Sequence, residues 1–265
     1  MDAIKIAAED CLACLRFYTR LPLPVFAFER DPYAMLDFKR AIRMLPVAGA
    51  LVGVIGAAAL GLGLGLGLPA LVAAAVSLAV LVRATGAFHE DGLADSADGL
   101  GGGMTRERKL DIMKDSRIGT FGGAALILSL LIRAAAMAAL VPFGFGYAAA
   151  ALVATAAVSR TAALMPLLLL PPARDDGLAY RAMIPSAEAV RFAALLACAF
   201  LLPPLLCGAT TQRVVFAGLA ALAAAYGMTR IARTEVQGHT GDIAGASQQL
   251  AEIAMLLVFI AQPQI

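Results

Sequence analysis

Two apolar runs, PALVAAAVSLAVLVRATGAF (69–88) and FGGAALILSLLIRAAAMAALV (121–141), flank the polar stretch HEDGLADSADGLGGG (89–103). Each run matches the roughly 20 mostly apolar residues that cross a bilayer as a helix, and each carries one charge, Arg83 or Arg133. The rest of the chain agrees with them. Of 265 residues, 61% are hydrophobic and only 15% charged, with a mean hydropathy of +0.82. Soluble domains run at about 45–50% apolar and about 25% charged, so this chain lacks the polar residues to cover a water-facing surface. The runs are continuous rather than alternating, which excludes a membrane barrel. The fold class that follows is all-α: a polytopic membrane helical bundle forming one domain over 1–265.

Further runs at 44–67, 147–169, 192–209, 211–229 and 243–262 bring the expectation to about seven transmembrane helices. The last is the weakest, carrying Ser247, Gln248, Gln249 and Glu252. GLGLGLGLP (61–69) reads as the close-packing end of a span stopped by Pro69. The N-terminal segment 1–43 begins with an amphipathic helix lying on the membrane, since three acids and no clean apolar core argue against a signal peptide. Cys11 and Cys14 are spaced C-x-x-C without a partner motif, and Cys198 and Cys207 lie in apolar sequence; all four read as small buried hydrophobes.

The long polar segments, 1–43, 89–120, 171–191 and 230–242, alternate with very short connections, so they return to one face. Their lysines and arginines place that face in the cytoplasm. No basic run marks a nucleic-acid partner; the partner implied by composition is the lipid bilayer. Arg83 and Arg160, nearer the ends of their spans, are expected to snorkel to the interface. Arg133, near the middle of its span, is expected at a polar cavity or a subunit contact.

The chemistry gathers in 89–120, read as an acidic catalytic loop on that face. Asp91, Asp95 and Asp98 stand at i, i+4 and i+7, one face of a helix. Carboxylates this close repel unless a cation sits among them, and Mg²⁺ commonly shares carboxylate oxygens with substrate phosphates. The bland alternative is a solvated segment whose acids balance Arg106, Arg108 and Lys109. The continuation RKLDIMKDSRIGTFGG (108–123) offers Lys114 and Arg117 for phosphate. Gly119 and Thr120 precede a span whose N-terminus can hold an anion. PPARDDGLAYRAM (171–183) adds Arg174, Asp175, Asp176 and Arg181. VQGHTGDIAGASQQLAE (236–252) adds His239, Thr240 and Asp242. Asp242 is open between general base, a fourth metal ligand and a helix N-cap. Acids for a metal beside bases for phosphates are the equipment of phosphoryl-group transfer.

HEDGLADSADGLGGG followed by RERKLDIMKDSRIGTFG resembles the hallmark of the cobalamin synthases, the adenosylcobinamide-GDP ribazoletransferases. RFYTRLPLP (16–24), ARDDGLA (173–179) and TGDIAGA (240–246) are similar to that family's other motifs, in the expected order. The resemblance implies a multi-pass, Mg²⁺-dependent enzyme of the bacterial cytoplasmic membrane with its site facing the cytoplasm. Adenosylcobinamide-GDP would meet α-ribazole or its 5′-phosphate, the ribose 3′-hydroxyl would attack the cobinamide-linked phosphorus, and GMP would leave. Asp91, Asp95 and Asp98 would hold Mg²⁺, Lys114 and Arg117 would steady GMP, and His89 or a neighbouring carboxylate would be the base. Homo-oligomers and contacts with other cobalamin-assembly enzymes stay open. The rival readings are a CDP-alcohol phosphatidyltransferase, whose D-x-x-D-G opening matches Asp95–Gly99, and a transporter, which would carry its acids deeper.

Overall fold

The computed structural model describes residues 3–174 and 184–262. Among the described residues the chain is helical, with one isolated parallel β-bridge between Pro172 and His239. In chain order the helices are α1 (Ala3–Tyr18), α2 (Leu45–Gly65), α3 (Ala70–Thr85), α4 (Phe88–Gly102), α5 (Arg106–Lys114) and α6 (Thr120–Leu140). They continue with α7 (Phe145–Ala162), α8 (Leu164–Leu169), α9 (Ala187–Ala199), α10 (Leu202–Leu206), α11 (Thr211–Glu235) and α12 (Gly241–Ile260).

Six stretches among the described residues are long and apolar enough to cross a membrane: Ala41–Gly65, Thr120–Phe143, Phe145–Leu169, Ala187–Leu206, Thr211–Glu235 and Gly241–Ile260. They match six of the seven expected spans, including the weakest. In α12 the polar residues Ser247, Gln248, Gln249 and Glu252 are buried, so they face protein rather than lipid. Outward, α6 shows Ile127, Leu128 and Leu131, and α11 shows Phe216, Leu219 and Leu222. A water-facing surface would not carry such continuous apolar belts.

The seventh expected span, 69–88, is not a straight crossing. Helix α3 ends at Thr85, Gly86 and Ala87 both take left-handed backbone (φ 66° and 58°), and the chain turns 89° into α4. Such a conformation costs about 1–2 kcal/mol for a residue with a Cβ, so Ala87 is held there by its surroundings. The turn comes just before Glu90, where apolar sequence stops and lipid would penalise every further residue. The segment 89–120 is therefore not an open loop either: most of it is α4 and α5, and α4, too polar to face lipid, lies outside the six spans.

Small residues let the helices touch through their backbones. On α2, a Cβ added at Gly49 would stand 2.6 Å from the Ala156 carbonyl oxygen of α7, and one at Gly53 would stand 2.7 Å from the Val153 Cα. At the other end of α2, a Cβ on Gly61 would meet the Phe145 ring at 2.7 Å and one on Gly63 would meet Ala73 of α3 at 2.9 Å. The first half of GLGLGLGLP thus packs closely, while Gly65 and Gly67 stand in open space before Pro69 at the head of α3. Helices α1 and α9 both pack on residues 41–44 and the start of α2, in one cluster that includes Cys14, Phe38, Ile42 and Ala193. Asp10 on α1 is buried and held by Arg40 (2.7 Å) and Arg43 (2.8 Å). Cys11 and Cys14 are buried as expected, and the Cys14 thiol donates to the Ala41 carbonyl. Cys198, on α9, and Cys207, just past the end of α10, are instead exposed.

Candidate active site

Helix α4 is fastened at both ends. Near its C-terminus the Asp98 carboxylate accepts hydrogen bonds from the backbone N–H groups of Gly119 (2.7 Å) and Gly122 (2.8 Å), the first turn of α6. The N-terminus expected to bind a phosphate thus already carries an anion, supplied by the chain. A Cβ on Gly122 would stand 2.3 Å from Asp98 Oδ2, which explains glycine there. Near the N-terminus of α4, Glu90 pairs with Arg133 in the interior at 2.7 Å.

Between these ends α4 crosses α12 backbone to backbone. A Cβ on Gly92 would meet the Asp242 carbonyl oxygen at 2.9 Å and the Gly245 Cα at 3.1 Å. This contact brings Asp242 to the carboxylates of α4. Asp91 is exposed, Asp95 half-buried and Asp98 buried. Burial first, then the like charges of Asp91, Asp242 and Asp98, push the Asp95 carboxyl up to about 7. That uncompensated repulsion is what a cation relieves. Among the described residues, no three His, Cys, Asp or Glu side chains stand close enough together to hold a metal by themselves.

Thr240 is the N-cap of α12, its hydroxyl accepting from the Ile243 N–H at 3.1 Å. The capping role considered for Asp242 therefore falls to Thr240. The preceding residues pair with the end of α8: the His239 N–H donates to Pro171 O (2.8 Å) and the Ala173 N–H to His239 O (2.9 Å). Burial pulls His239 down to about 4, so it is neutral at pH 7. The pairing sets Arg174 within electrostatic reach of Asp242, and the Arg174 guanidinium also donates to Leu110 O at 2.6 Å. Asp175, Asp176 and Arg181 lie outside the described residues.

Arg106, read from sequence only as a balancing charge, is a staple. It donates to Val236 O (2.9 Å) and Ala173 O (2.6 Å), fixing α5 over both segments. Arg106, Lys114 and Arg174 line one open groove of about 320 Å³, with Glu107, Leu110 and Asp111. Arg117 is apart from it: its exposed side chain grips Asp115 at 2.6 Å, which draws the Asp115 carboxyl down to about 2.

Two expectations change. His89 is turned into the bundle, 3% exposed and stacked on Tyr18 with ring centroids 5.9 Å apart. It is two residues from Asp91, which on a helix is the opposite side. Arg160 does not snorkel; it is 6% exposed and donates to its own helix at Ala156 O. Arg83 is exposed, as expected. Arg133 faces a polar interior, where Glu252 takes it at 2.8 Å beside Glu90.

The comparisons with known proteins agree with the motifs. The family model described as cobalamin-5-phosphate synthase matches residues 10–260, and the chain belongs to that family. It is 48% identical over 252 residues to the adenosylcobinamide-GDP ribazoletransferase of Azorhizobium caulinodans, covering 94% of each chain. It is 48% identical over 258 residues to the protein of that name from Xanthobacter autotrophicus, covering 97% of each, and 45% identical over 258 residues to that of Rhizobium etli, covering 96% of each. No solved structure matches the chain.

Proposed function

We propose that this member of the cobalamin-5-phosphate synthase family joins adenosylcobinamide-GDP to α-ribazole or its 5′-phosphate, giving adenosylcobalamin or its 5′-phosphate and GMP. The observation that carries the reading is the meeting of Asp91 and Asp95 with Asp242 across the Gly92–Gly245 contact, beside Arg174. Carboxylates and cations side by side suit a reaction in which a nucleoside monophosphate leaves a pyrophosphate.

Asp91 and Asp95 would hold Mg²⁺, whose chemistry is to neutralise charge on the pyrophosphate. Mg²⁺ is commonly held by one or two carboxylates with substrate phosphates and waters completing its shell, so the absence of a three-residue cage is compatible with it. Asp98 is occupied as the cap of α6 and acts by fixing α4. Asp242 takes the proton as the ribose 3′-oxygen forms its bond to the cobinamide-linked phosphorus and the bridging P–O bond to GMP breaks. It replaces His89, which is buried on the other side of α4. Arg174 and Lys114, in the groove beside Asp242, receive the departing phosphate. Holding two large substrates in line supplies much of the remaining rate. The lysine- and arginine-bearing segments support a site on the cytoplasmic face of the bacterial inner membrane.

The test is GMP release from protein in nanodiscs supplied with adenosylcobinamide-GDP, α-ribazole 5′-phosphate and Mg²⁺. GMP that needs both substrates and the metal is the expected result. No GMP under these conditions, with CMP released from a CDP-alcohol instead, overturns the reading in favour of a phosphatidyltransferase.

A further inference from the structure

The Gly92–Gly245 crossing that joins α4 to α12 has no side chains at its centre. The two glycines themselves give close approach without register, while Leu93 packs in one cluster with Ile243 and Ala246 beside them. A helix advances 100° per residue, so a modest turn would carry Asp91 and Asp95 away from Asp242. The Asp98 carboxylate fixes the far end of α4 on the first turn of α6, and the end that bears Asp91 needs its own hold.

The interior supplies it one residue before Asp91. The Arg133 guanidinium of α6, 3% exposed, donates to Glu90 Oε1 of α4 (2.7 Å), Glu252 Oε1 of α12 (2.8 Å) and Gln249 Oε1 (2.9 Å). Gln249 also accepts from Ser129 (3.0 Å), and Gln248 donates to Glu252 (2.6 Å) and to Ser159 of α7 (3.0 Å). Three helices therefore meet at one planar group, whose donors point in fixed directions, and α7 joins the cluster through Gln248. Beside it lies a cavity of about 20 Å³. Glu90 Oε2, Thr155 Oγ1 and Arg160 Nε are buried without hydrogen-bond partners, on residues that line it. That is room and polarity for one ordered water.

Stability alone does not account for such a cluster, because well-packed apolar residues in place of a buried ion pair are often neutral or stabilising. What the cluster adds is direction. We propose that Arg133 is a positioning residue of the transferase site, setting the rotation of α4 through Glu90 so that Asp91 and Asp95 face Asp242. The proposal rests on the transfer reading above, and its test separates the two.

Arg133→Gln and the milder Glu90→Gln are compared with the unaltered protein in nanodiscs, by hydrogen exchange along the chain and by turnover. In whichever variant folds, exchange within 88–102 rises about tenfold while that of α2 stays within about twofold, since loosening is local. The kcat for GMP release falls about thirtyfold or more while KM for adenosylcobinamide-GDP moves less than about threefold, the mark of misplaced chemistry rather than lost binding. Unchanged exchange in α4, exchange raised equally throughout the bundle, or unchanged kcat overturns the proposal. Absence of GMP from the unaltered protein defeats the transfer reading instead, and the exchange pattern still decides whether Arg133 holds α4.

Discussion

Helices α2 and α7 meet through glycine and alanine, and so do α4 and α12, yet the two contacts serve different ends. Along α2 and α7 the close approach runs for about one turn, from Gly49 and Gly53 against Val153, Ala156 and Ala157. Neighbouring apolar side chains pack on both, and the pair is fixed by shape alone. The α4–α12 crossing is closest at Gly92 on Gly245, with Leu93 in one cluster with Ile243 and Ala246 and a Gln249–Glu90 hydrogen bond further along, on a helix carrying Glu90, Asp91, Asp95 and Asp98. Here shape gives proximity and charge gives direction, through Arg133 at one end and the first turn of α6 at the other. The same device is scaffold in one place and site in the other.

That contrast can be broken in four ways. The largest effect is expected for Asp95→Asn: on the proposed Mg²⁺ role of Asp95, kcat for GMP release falls about a thousandfold, a loss of several kcal/mol. Normal Mg²⁺-dependent turnover would remove the chemistry from the α4 side. Next, Gly92→Ala places a Cβ 2.9 Å from the Asp242 carbonyl and is expected to cost about a hundredfold in kcat through misalignment. Gly49→Ala, 2.6 Å from the Ala156 carbonyl, should cost about 1–3 kcal/mol of stability and leave kcat within about threefold. Similar kinetics for the two glycine variants would show that the contacts are alike after all.

A smaller effect comes from pH. With the Asp95 carboxyl near 7 in the metal-free protein, a metal must displace its proton below that pH. Calorimetric titration should find the metal affinity falling about fivefold from pH 7 to 6 and nearly flat above pH 8. Stability of the metal-free protein runs the other way. The folded carboxyl titrates near 7 and the unfolded one near 3.8, so the contribution is present below pH 4 and lost as pH rises through 7. Thermal unfolding that is level across pH 4 to 7 would contradict the crowding at Asp95. Least is expected of Arg117→Ala, which breaks an exposed pair with Asp115 and changes turnover less than about twofold. A large loss would return Arg117 to the phosphate site.

The membrane class and six spans were legible because composition and run length are local properties of the sequence. Asp91, Asp95 and Asp242 were legible as acids beside a bilayer, and the motif order pointed to the family. The break at Gly86–Ala87 was not, because the apolar run continues to Phe88 and backbone handedness at an alanine leaves no trace in composition. The role of Asp98 was hidden because its partners are 21 and 24 residues away. The lone Arg133 did announce a buried need. Its answer was already visible in Gln248, Gln249 and Glu252, which read as weakness in the last span and are its inward face. A buried cation on one helix and a cluster of polar residues on another are a pairing signal when both stand in apolar sequence.

The Arg133 cluster also sets a timetable. Glu90 leaves the ribosome 43 residues before Arg133, and Glu252 follows Arg133 by 119 more. Until α12 arrives, the growing chain carries Arg133 with only one of its three side-chain acceptors, Glu90, in place. Asp242, at the head of that same helix, is absent until then as well. The nascent protein therefore gains the interior partners of Arg133 and the Asp242 carboxylate in one event, and a chain that stalls before α12 lacks both.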